Sequence, residues 1–400
     1  QRELAEVNAE LERVKHGPRA PLSPLRRVRL RMFPAGSLRE RIARRGFFFL
    51  VAGVRTVRRL VGSTGRQDAG APALPTPAEA LPYDLWLRSR EPDASQLALQ
   101  RTLARKLGRR PLISVVCPVF APPADVLTDT INSVRAQTYD NWELVLVKAG
   151  SQPAAVSDCL RQPGSDPRIV VVALEQNLGI AENANRGIAV ARGEYVAFLD
   201  HDDLVTPDAL YEVARLLDTD PAADVVYFDE DKISADGTTP CDPYFKPDWS
   251  PEHLLSINYL MHSVIRRSTI EAVGGLNSQY DGAQDWDLAL RLAEHGVRPR
   301  HIPRVLYHWR KLPGSAASDA FAKPWAMAAQ APCIKAHLER RGFMGVEVET
   351  PAFGVLQPRW TGQGSRVSIV IPTRDRAAML RTCLTSLLTI TTYQHYEILL

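Results

Sequence analysis

The feature that most restricts this chain is an apolar run that stops abruptly on charge. Tyr195 to Leu199 (YVAFL) has the length and composition of a strand buried on both faces, and Asp200-His201-Asp202-Asp203 follows at once. Three carboxylates within four positions repel one another and destabilise a fold unless a cation or a hydrogen-bonded ligand offsets them. A divalent metal at the carboxyl end of a strand meets that need. A single aspartate there reads as a cap or a turn residue, and Thr206 or Asp203 is also placed to cap a helix from Pro207. Three carboxylates bracketing a histidine call for more than a cap.

The chain has 400 residues, 45% of them apolar, which provides for two or three domains with substantial cores and excludes a disordered protein. The cysteines (Cys117, Cys159, Cys241, Cys333 and Cys383) form no CxxC pair, so neither a zinc cage nor a disulfide framework is indicated, and reduced thiols in a cytoplasmic protein are expected. The net charge of +4 is unevenly placed: residues 1–66 carry 16 Lys/Arg against 5 Asp/Glu, which leaves −7 for residues 67–400. Such a basic segment is suited to anionic lipid headgroups, and no nucleic-acid motif interleaves its arginines. Gly46 to Val54 (GFFFLVAGV) is too short to span a bilayer but long enough to dip into its interface. The expectation is peripheral contact with the inner face of the cell membrane through residues 17–66. Starting on Gln1 and stopping inside an apolar run at Leu400, the chain reads as a piece of a longer protein.

Periodicity then divides the chain. Residues 1–82 read as a short heptad-like helix, a basic stretch and a Pro/Ala linker, and residues 83–110 as a helical extension. From Leu112 to Phe120 (LISVVCPVF) the character changes to a buried strand. A helix over Asp125–Gln137 and strands over Trp142–Lys148 and Arg168–Leu174 follow, and a helix over Ile180–Arg192 leads into Tyr195–Leu199. A helix is expected over Pro207–Asp218, strands over Asp224–Glu230, Tyr259–Arg266 and Ile302–Trp309, and helices over Ser268–Val273 and Leu288–His295. This alternation predicts an α/β domain over 111–315, Rossmann-like, with a mainly parallel sheet covered by helices on both faces and ligands at the carboxyl ends of its strands. Residues 316–365 read as a helical connector and linker.

Near its end the chain repeats itself. Val367-Ser-Ile-Val-Ile-Pro372 restates Ile113-Ser-Val-Val-Cys-Pro118, Tyr393-Gln-His-Tyr-Glu397 restates Tyr139-Asp-Asn-Trp-Glu143, and proline to tyrosine is 21 positions in both. Residues 366–400 are therefore expected to begin a second, truncated copy of the same domain.

Residues 111–315 resemble the inverting glycosyltransferases of family 2, which have a GT-A fold, and within them the tandem-domain bacterial enzymes of O-antigen and other surface polysaccharides. The residues that carry the resemblance are Cys117-Pro118-Val-Phe120, Asn177-Leu-Gly179, Asn185-Arg-Gly187, Gly193 through Asp203, Tyr227-Phe-Asp229-Glu230-Asp231, Phe245-Lys-Pro-Asp248-Trp249, Gly275, Gln284-Asp285-Trp286-Asp287 and Tyr307-His308-Trp-Arg310. The resemblance implies transfer of a sugar from a nucleotide-sugar donor to a glycan or lipid-linked acceptor. Mn²⁺ or Mg²⁺ at the Asp200-His-Asp202 motif would offset the charge of the leaving diphosphate. It implies Asp202 and Asp200 as metal ligands, Asp200 alternatively on the ribose, with His308 completing the set. Inversion needs a general base, and the matching residue is Asp285, at a helix N-terminus that tends to keep a carboxylate ionised, with Asp287 as the alternative. Either aspartate also suits a plain helix cap. Donor contacts are expected from Pro118, Phe120, Asn177, Gly179 and Asn185, and contacts to the acceptor or donor sugar from Asp229, Glu230, Asp231, Trp249, Trp286 and Arg310. Asp229 to Asp231 read equally well as a solvated strand end.

One departure stands out. Where the family has acidic residues after its second strand, this chain has Lys148-Ala149, so Lys148 is expected on the diphosphate instead. The alternative reading is a donor- or glycan-binding domain with weakened catalysis, the chemistry belonging to the second copy. Phosphoester hydrolysis would also use clustered aspartates, but the paired-metal motifs it needs are missing from the sequence.

Overall fold

The computed structural model describes residues 82–161, 166–318, 323–352, 354–360 and 364–400. The expectations for residues 1–81, including the membrane-facing segment, lie outside the described residues. The chain divides into two units, Thr76–Thr361 and a second whose described part is 364–400.

The larger unit begins with two helices, α1 (Tyr83–Arg88) and α2 (Ala94–Ala104), into which the expected helical extension divides. Pro92 is the reason. It bars helical geometry at the residue before it, and Asp93 then starts α2 in a reciprocal capping box with Gln96. The pair is part of the core unit, since Leu87 and Ala104 are buried and the Tyr83 hydroxyl donates to Asp231 at 2.6 Å.

Strand and helix then alternate as predicted: β1 (Ile113–Val119), α3 (Ala124–Arg135), β2 (Trp142–Ala149), α4 (Ala154–Arg161), β3 (Ile169–Leu174), α5 (Ile180–Val190) and β4 (Tyr195–Phe198). These four strands are mutually parallel in the order β3-β2-β1-β4. Their alternating side chains feed two apolar layers. Val115, Cys117, Leu144 and Leu146 pack with Leu127, Ile131 and Leu160 of α3 and α4, while Val116, Val145 and Val147 pack with Ala181, Ala184 and Ile188 of α5. A Cβ at Gly187 would come within 2.5 Å of Val116, so glycine there lets α5 lie close on the sheet.

After β4 come β5 (Leu204–Val205), α6 (Ala209–Thr219), β6 (Val225–Ile233), β7 (Pro240–Tyr244), α7 (Pro251–Leu254), β8 (Val264–Arg266), α8 (Arg267–Ala272), α9 (Gln284–Glu294) and β9 (Arg300–Arg310). The sheet continues β4-β8-β6-β9-β5, with β8 antiparallel to both neighbours, β6 parallel to β9, and β7 added antiparallel to β6. Two expectations need correction. The strand predicted over Tyr259–Arg266 is confined to Val264–Arg266, because His262 takes a left-handed φ of 58° that breaks an extended run. Strand β6 runs on to Ile233, so Asp229, Glu230 and Asp231 lie inside it and are buried, not a solvated end.

Residues 316–365 are more than a connector. Helix α10 (Pro324–Arg340) and the hairpin β10 (Glu347–Ala352) with β11 (Val355–Arg359) build a third apolar cluster in which Cys333, Ile334, Leu338 and Leu356 meet Leu254, Tyr259 and Trp286.

In the smaller unit, β12 (Val367–Val370), α11 (Ala377–Ile390) and β13 (Tyr396–Leu399) form one parallel β-α-β turn. It reproduces β1-α3-β2 in detail. Val367 pairs with Tyr396 as Ile113 pairs with Trp142, and Ser368 donates to Glu397 as Ser114 donates to Glu143. The Tyr393 hydroxyl donates to the Ser365 carbonyl as Tyr139 does to Pro111, and Asp375 holds a left-handed φ of 52° where Ala121 holds 47°.

Candidate active site

The carboxylates after β4 sit in a turn held from beneath. Buried Asp203 accepts from the Tyr307 hydroxyl at 2.5 Å and the Arg310 amide at 2.8 Å, and the Tyr307 oxygen also accepts from the Asp200 amide at 3.4 Å. The Arg310 guanidinium, only 1% exposed, donates to the carbonyls of Asp202 and Ala235 and to Asp129. Arg310 is thus a brace beneath the turn, a correction to the expected sugar contact. The His201 Nδ1 lies 3.1 Å from the Pro118 carbonyl, which only accepts, so that nitrogen carries the proton.

Asp200 is exposed and Asp202 is half-buried. Burial and then the neighbouring Asp200 push the Asp202 carboxyl above its usual range, and burial with Asp202 and Asp200 pushes Asp203 well above it. The repulsion expected from three crowded carboxylates is therefore present.

One pocket joins this turn to α9. Pro118, Ile180, Phe198, Asp200, His262, Gln284 and Asp285 line it. Asp285 accepts from the Asn258 side chain at 2.9 Å, and burial pushes its pKa up, with His262 opposing. The expectation that the helix N-terminus keeps it ionised is thus outweighed by desolvation. Asp287, two positions on, is fully buried and ion-paired with Arg291 at 2.6 Å, so it is a core residue and not an alternative base.

His262 is the residue that sequence reasoning missed. Its Nδ1 lies 3.0 Å from Glu230, its ring stacks on Tyr307 at 3.7 Å, and one of its ring nitrogens lies within 4.8 Å of a carboxylate oxygen each of Asp200 and Asp203. Burial opposes ionisation of Glu230, yet Lys246 and His262 bring its pKa down to about 2.

His308 belongs elsewhere. Its Nδ1 rests on Asp231 at 2.5 Å, and it lines a separate cavity with Trp86, Asp229, Phe245, His301 and Arg304 that shares no lining residue with the Asp200–Asp285 pocket. The expected set of Asp202, Asp200 and His308 is corrected accordingly. Among the described residues, the convergent carboxylates and imidazole are Asp200, Asp203 and His262. The three successive carboxylates of β6 each hold one histidine: Asp229 holds His301, Glu230 holds His262 and Asp231 holds His308. These internal partners replace the acceptor contacts expected of them.

The other predicted residues fall into two groups. Phe120 is exposed beyond β1, and Lys148 is half-buried near the end of β2 with no ion pair among the described residues. Asn177 accepts from the Gly179 amide and the Asn183 side chain, shaping the loop that starts α5. Gly179, at φ 96°, is so close to Asp281 that a Cβ would lie 2.4 Å from its oxygen. Asn185, by contrast, both donates to and accepts from the Leu276 backbone, so it ties α5 to that loop in place of the expected donor contact. The Trp286 indole is buried and donates to the Leu254 carbonyl, and Trp249 packs against the same cluster; Trp286 is core, not the expected sugar contact.

With this geometry in place, comparison with known proteins is direct. Residues 114–260 match the sequence model described as Glycosyl transferase family 2, and the chain therefore carries a glycosyltransferase domain of that family. The sheet that these residues help to build is mixed, within the α/β domain expected here. The chain is 41% identical over 321 residues to an uncharacterized protein of Sinorhizobium fredii, covering 78% of this chain and 35% of the relative. It is 39% identical over 331 residues to the O-antigen biosynthesis protein RfbC of Myxococcus xanthus, covering 82% of this chain and 26% of that protein. The chain thus spans between a quarter and about a third of these two relatives. A crystal structure of S. aureus TarS 1-349 in complex with UDP-GlcNAc superposes with a TM-score of 0.44 at 16% identity, over 57% of this chain and 72% of that one.

A divalent cation suits the donor set. Carboxylate oxygens with one imidazole accommodate Mn²⁺ or Mg²⁺, and a cation would offset the Asp200–Asp202 repulsion. Among the described residues no helix is long and apolar enough to cross a membrane.

Proposed function

We propose that the domain is an inverting, metal-dependent glycosyltransferase that moves a sugar from a nucleotide-sugar donor to a glycan or lipid-linked acceptor in bacterial surface polysaccharide synthesis. The observation that carries this reading is the shared pocket of Asp200 and Asp285, which puts a cation-binding carboxylate and a candidate base around one space. Asp200 and Asp202 would hold Mn²⁺ or Mg²⁺, which when bound supplies charge to offset the departing diphosphate. Asp285 takes the proton from the acceptor hydroxyl as that oxygen attacks the anomeric carbon. Its raised pKa makes it a stronger base than an ordinary aspartate, and Asn258 fixes one of its oxygens. Lys148, near the end of β2 and without an ion pair among the described residues, would meet the diphosphate in place of the family's acidic residues. The similarity to the O-antigen biosynthesis protein RfbC supports the polysaccharide assignment.

The test is transfer by purified protein given Mn²⁺ and a panel of nucleotide sugars, with Asp285→Asn and Asp200→Ala beside it. Turnover that survives both substitutions contradicts the assignment. Donor binding with no turnover by the intact chain favours the reading of a donor-binding domain.

A further inference from the structure

We propose that His262 is the imidazole ligand of the divalent-cation site, mounted on Glu230 and Lys246; the proposal rests on the metal-dependent reading above and goes beyond it by naming a ligand from outside the aspartate motif. Four observations converge. First, the side chain is 12% exposed and lines the pocket of Asp200 and Asp285. Second, one of its ring nitrogens lies within 4.8 Å of a carboxylate oxygen of Asp200 and of one of Asp203. Third, the ring is fixed in direction: it stacks on Tyr307 with 8° between the planes, and Tyr307 is the residue whose hydroxyl braces Asp203. Fourth, the backbone at His262 holds a φ of 58°, an uncommon conformation for a non-glycine residue, found at functional sites when the surroundings enforce it.

The mount explains why this nitrogen is available. Glu230 lies 3.0 Å from Nδ1 and 2.8 Å from the Lys246 ammonium, whose side chain has no exposure at all. A carboxylate paired to a lysine accepts hydrogen bonds and does not donate them, so Nδ1 carries the proton. Among the described residues no hydrogen bond occupies Nε2, so in the neutral ring that nitrogen offers a lone pair. A metal-binding histidine commonly donates its second ring N–H to a carboxylate, which sets both tautomer and aim. Lys246 adds what a lone carboxylate would lack: it neutralises Glu230, so the imidazole is oriented without adding a further net negative charge beside Asp200 and Asp203. His308 has a carboxylate mount too, on Asp231, but it opens onto the other cavity and serves as the internal control.

The experiment is Mn²⁺ binding to the full chain, with Mn²⁺ alone and then with UDP. It is followed by titration of the free-ion EPR signal and by pulsed EPR for hyperfine coupling of ¹⁴N to the metal. The intact chain is expected to bind Mn²⁺ with ¹⁴N coupling. In His262→Ala the coupling disappears and the Kd rises by about 10-fold or more, while His308→Ala keeps both. Glu230→Gln, which keeps the shape of the mount but removes its charge, is expected to weaken binding with the coupling retained. Should His262→Ala fail to fold by circular dichroism, His262→Gln is read in its place. Coupling or affinity unchanged in the His262 variants overturns the proposal and leaves the metal-dependent reading standing, provided Asp200→Ala loses Mn²⁺. If the intact chain binds no Mn²⁺, both are overturned together.

Discussion

The Tyr307 hydroxyl donates to the buried Asp203 carboxylate at 2.5 Å, and this bond ties the last turn of the aspartate motif to the neighbouring strand. Both groups are withdrawn from water, and burial pushes the pKa of each well above its ordinary value. Removing the hydroxyl leaves a buried acceptor short of one donor. Tyr307→Phe is expected to lower stability by about 1–3 kcal/mol, read as a lower urea midpoint with an unchanged slope. An unchanged midpoint would show that the bond does not brace the motif.

A second stability prediction concerns the chain just before that motif. Gly193 donates its amide to Ser114 Oγ, and a Cβ there would lie 2.4 Å from that oxygen and 2.7 Å from the Ser114 amide. Neither atom can withdraw, since Ser114 lies in β1 and its hydroxyl donates to buried Glu143. Gly193→Ala is expected to cost about 1–3 kcal/mol by overpacking. A thermal melt matching that of the parent would contradict it.

Crowding of the aspartates gives stability a pH dependence with a definite sign. Asp202 and Asp203 have raised folded-state pKa values, so between the ordinary carboxylate range and those raised values the folded state binds more protons than the unfolded chain. Their contribution to stability is present below that window and is lost as pH rises through it. A bound cation counters the loss, because it takes the place of the protons. The rise in Tm on adding Mn²⁺ is therefore expected to be larger at pH 7.5 than at pH 5. An equal rise at both, measured by differential scanning fluorimetry, would mean that the cation does not bind at these carboxylates.

Lys148 is the third target. It stands half-buried near the end of β2, opposite Val119 of β1, and has no ion pair among the described residues. Lys148→Ala is expected to weaken nucleoside diphosphate binding by roughly 10-fold, the scale of one charge-assisted contact, with the melting temperature preserved. Calorimetry with UDP and GDP makes the comparison, and unaltered affinity for both would remove Lys148 from the donor site.

Much of this was legible in the sequence. The alternation of strand and helix, the apolar run into Asp200, and the pairing of repeated segments around Pro118 and Pro372 rest on local patterns, and local patterns survive folding. His262 was not legible. It lies in a stretch whose composition reads as strand, and only tertiary packing on Tyr307 and Glu230 enforces its left-handed turn. The error at His308 has a geometric origin. Between Phe228 and Glu230 the pairing of β6 with β9 slips twice, from Ile302 to Val305 and then to Tyr307, and the second slip, by a single extra residue, switches which residues of β9 face which layer relative to β6. Counting alternate positions along β9 therefore cannot say that Tyr307 faces the aspartate turn and His308 the opposite cavity. Asp287 was misread for a related reason: at a helix start, a base and a buried ion-pair partner of Arg291 look alike until the packing of α9 is known.

The role of Asp285 as the base of an inverting transfer can be tested with water in place of the acceptor. With Mn²⁺ and a panel of α-configured nucleotide sugars, the anomer released by slow donor hydrolysis is followed by proton NMR before it mutarotates. The β anomer is expected first, with a rate that falls by about 10²–10⁴-fold in Asp285→Asn while donor affinity holds. An acidic limb of the pH profile above the ordinary aspartate range is also expected, since the base works only when deprotonated and its pKa is raised. Release of the α anomer first, or an undiminished rate in Asp285→Asn, would contradict it.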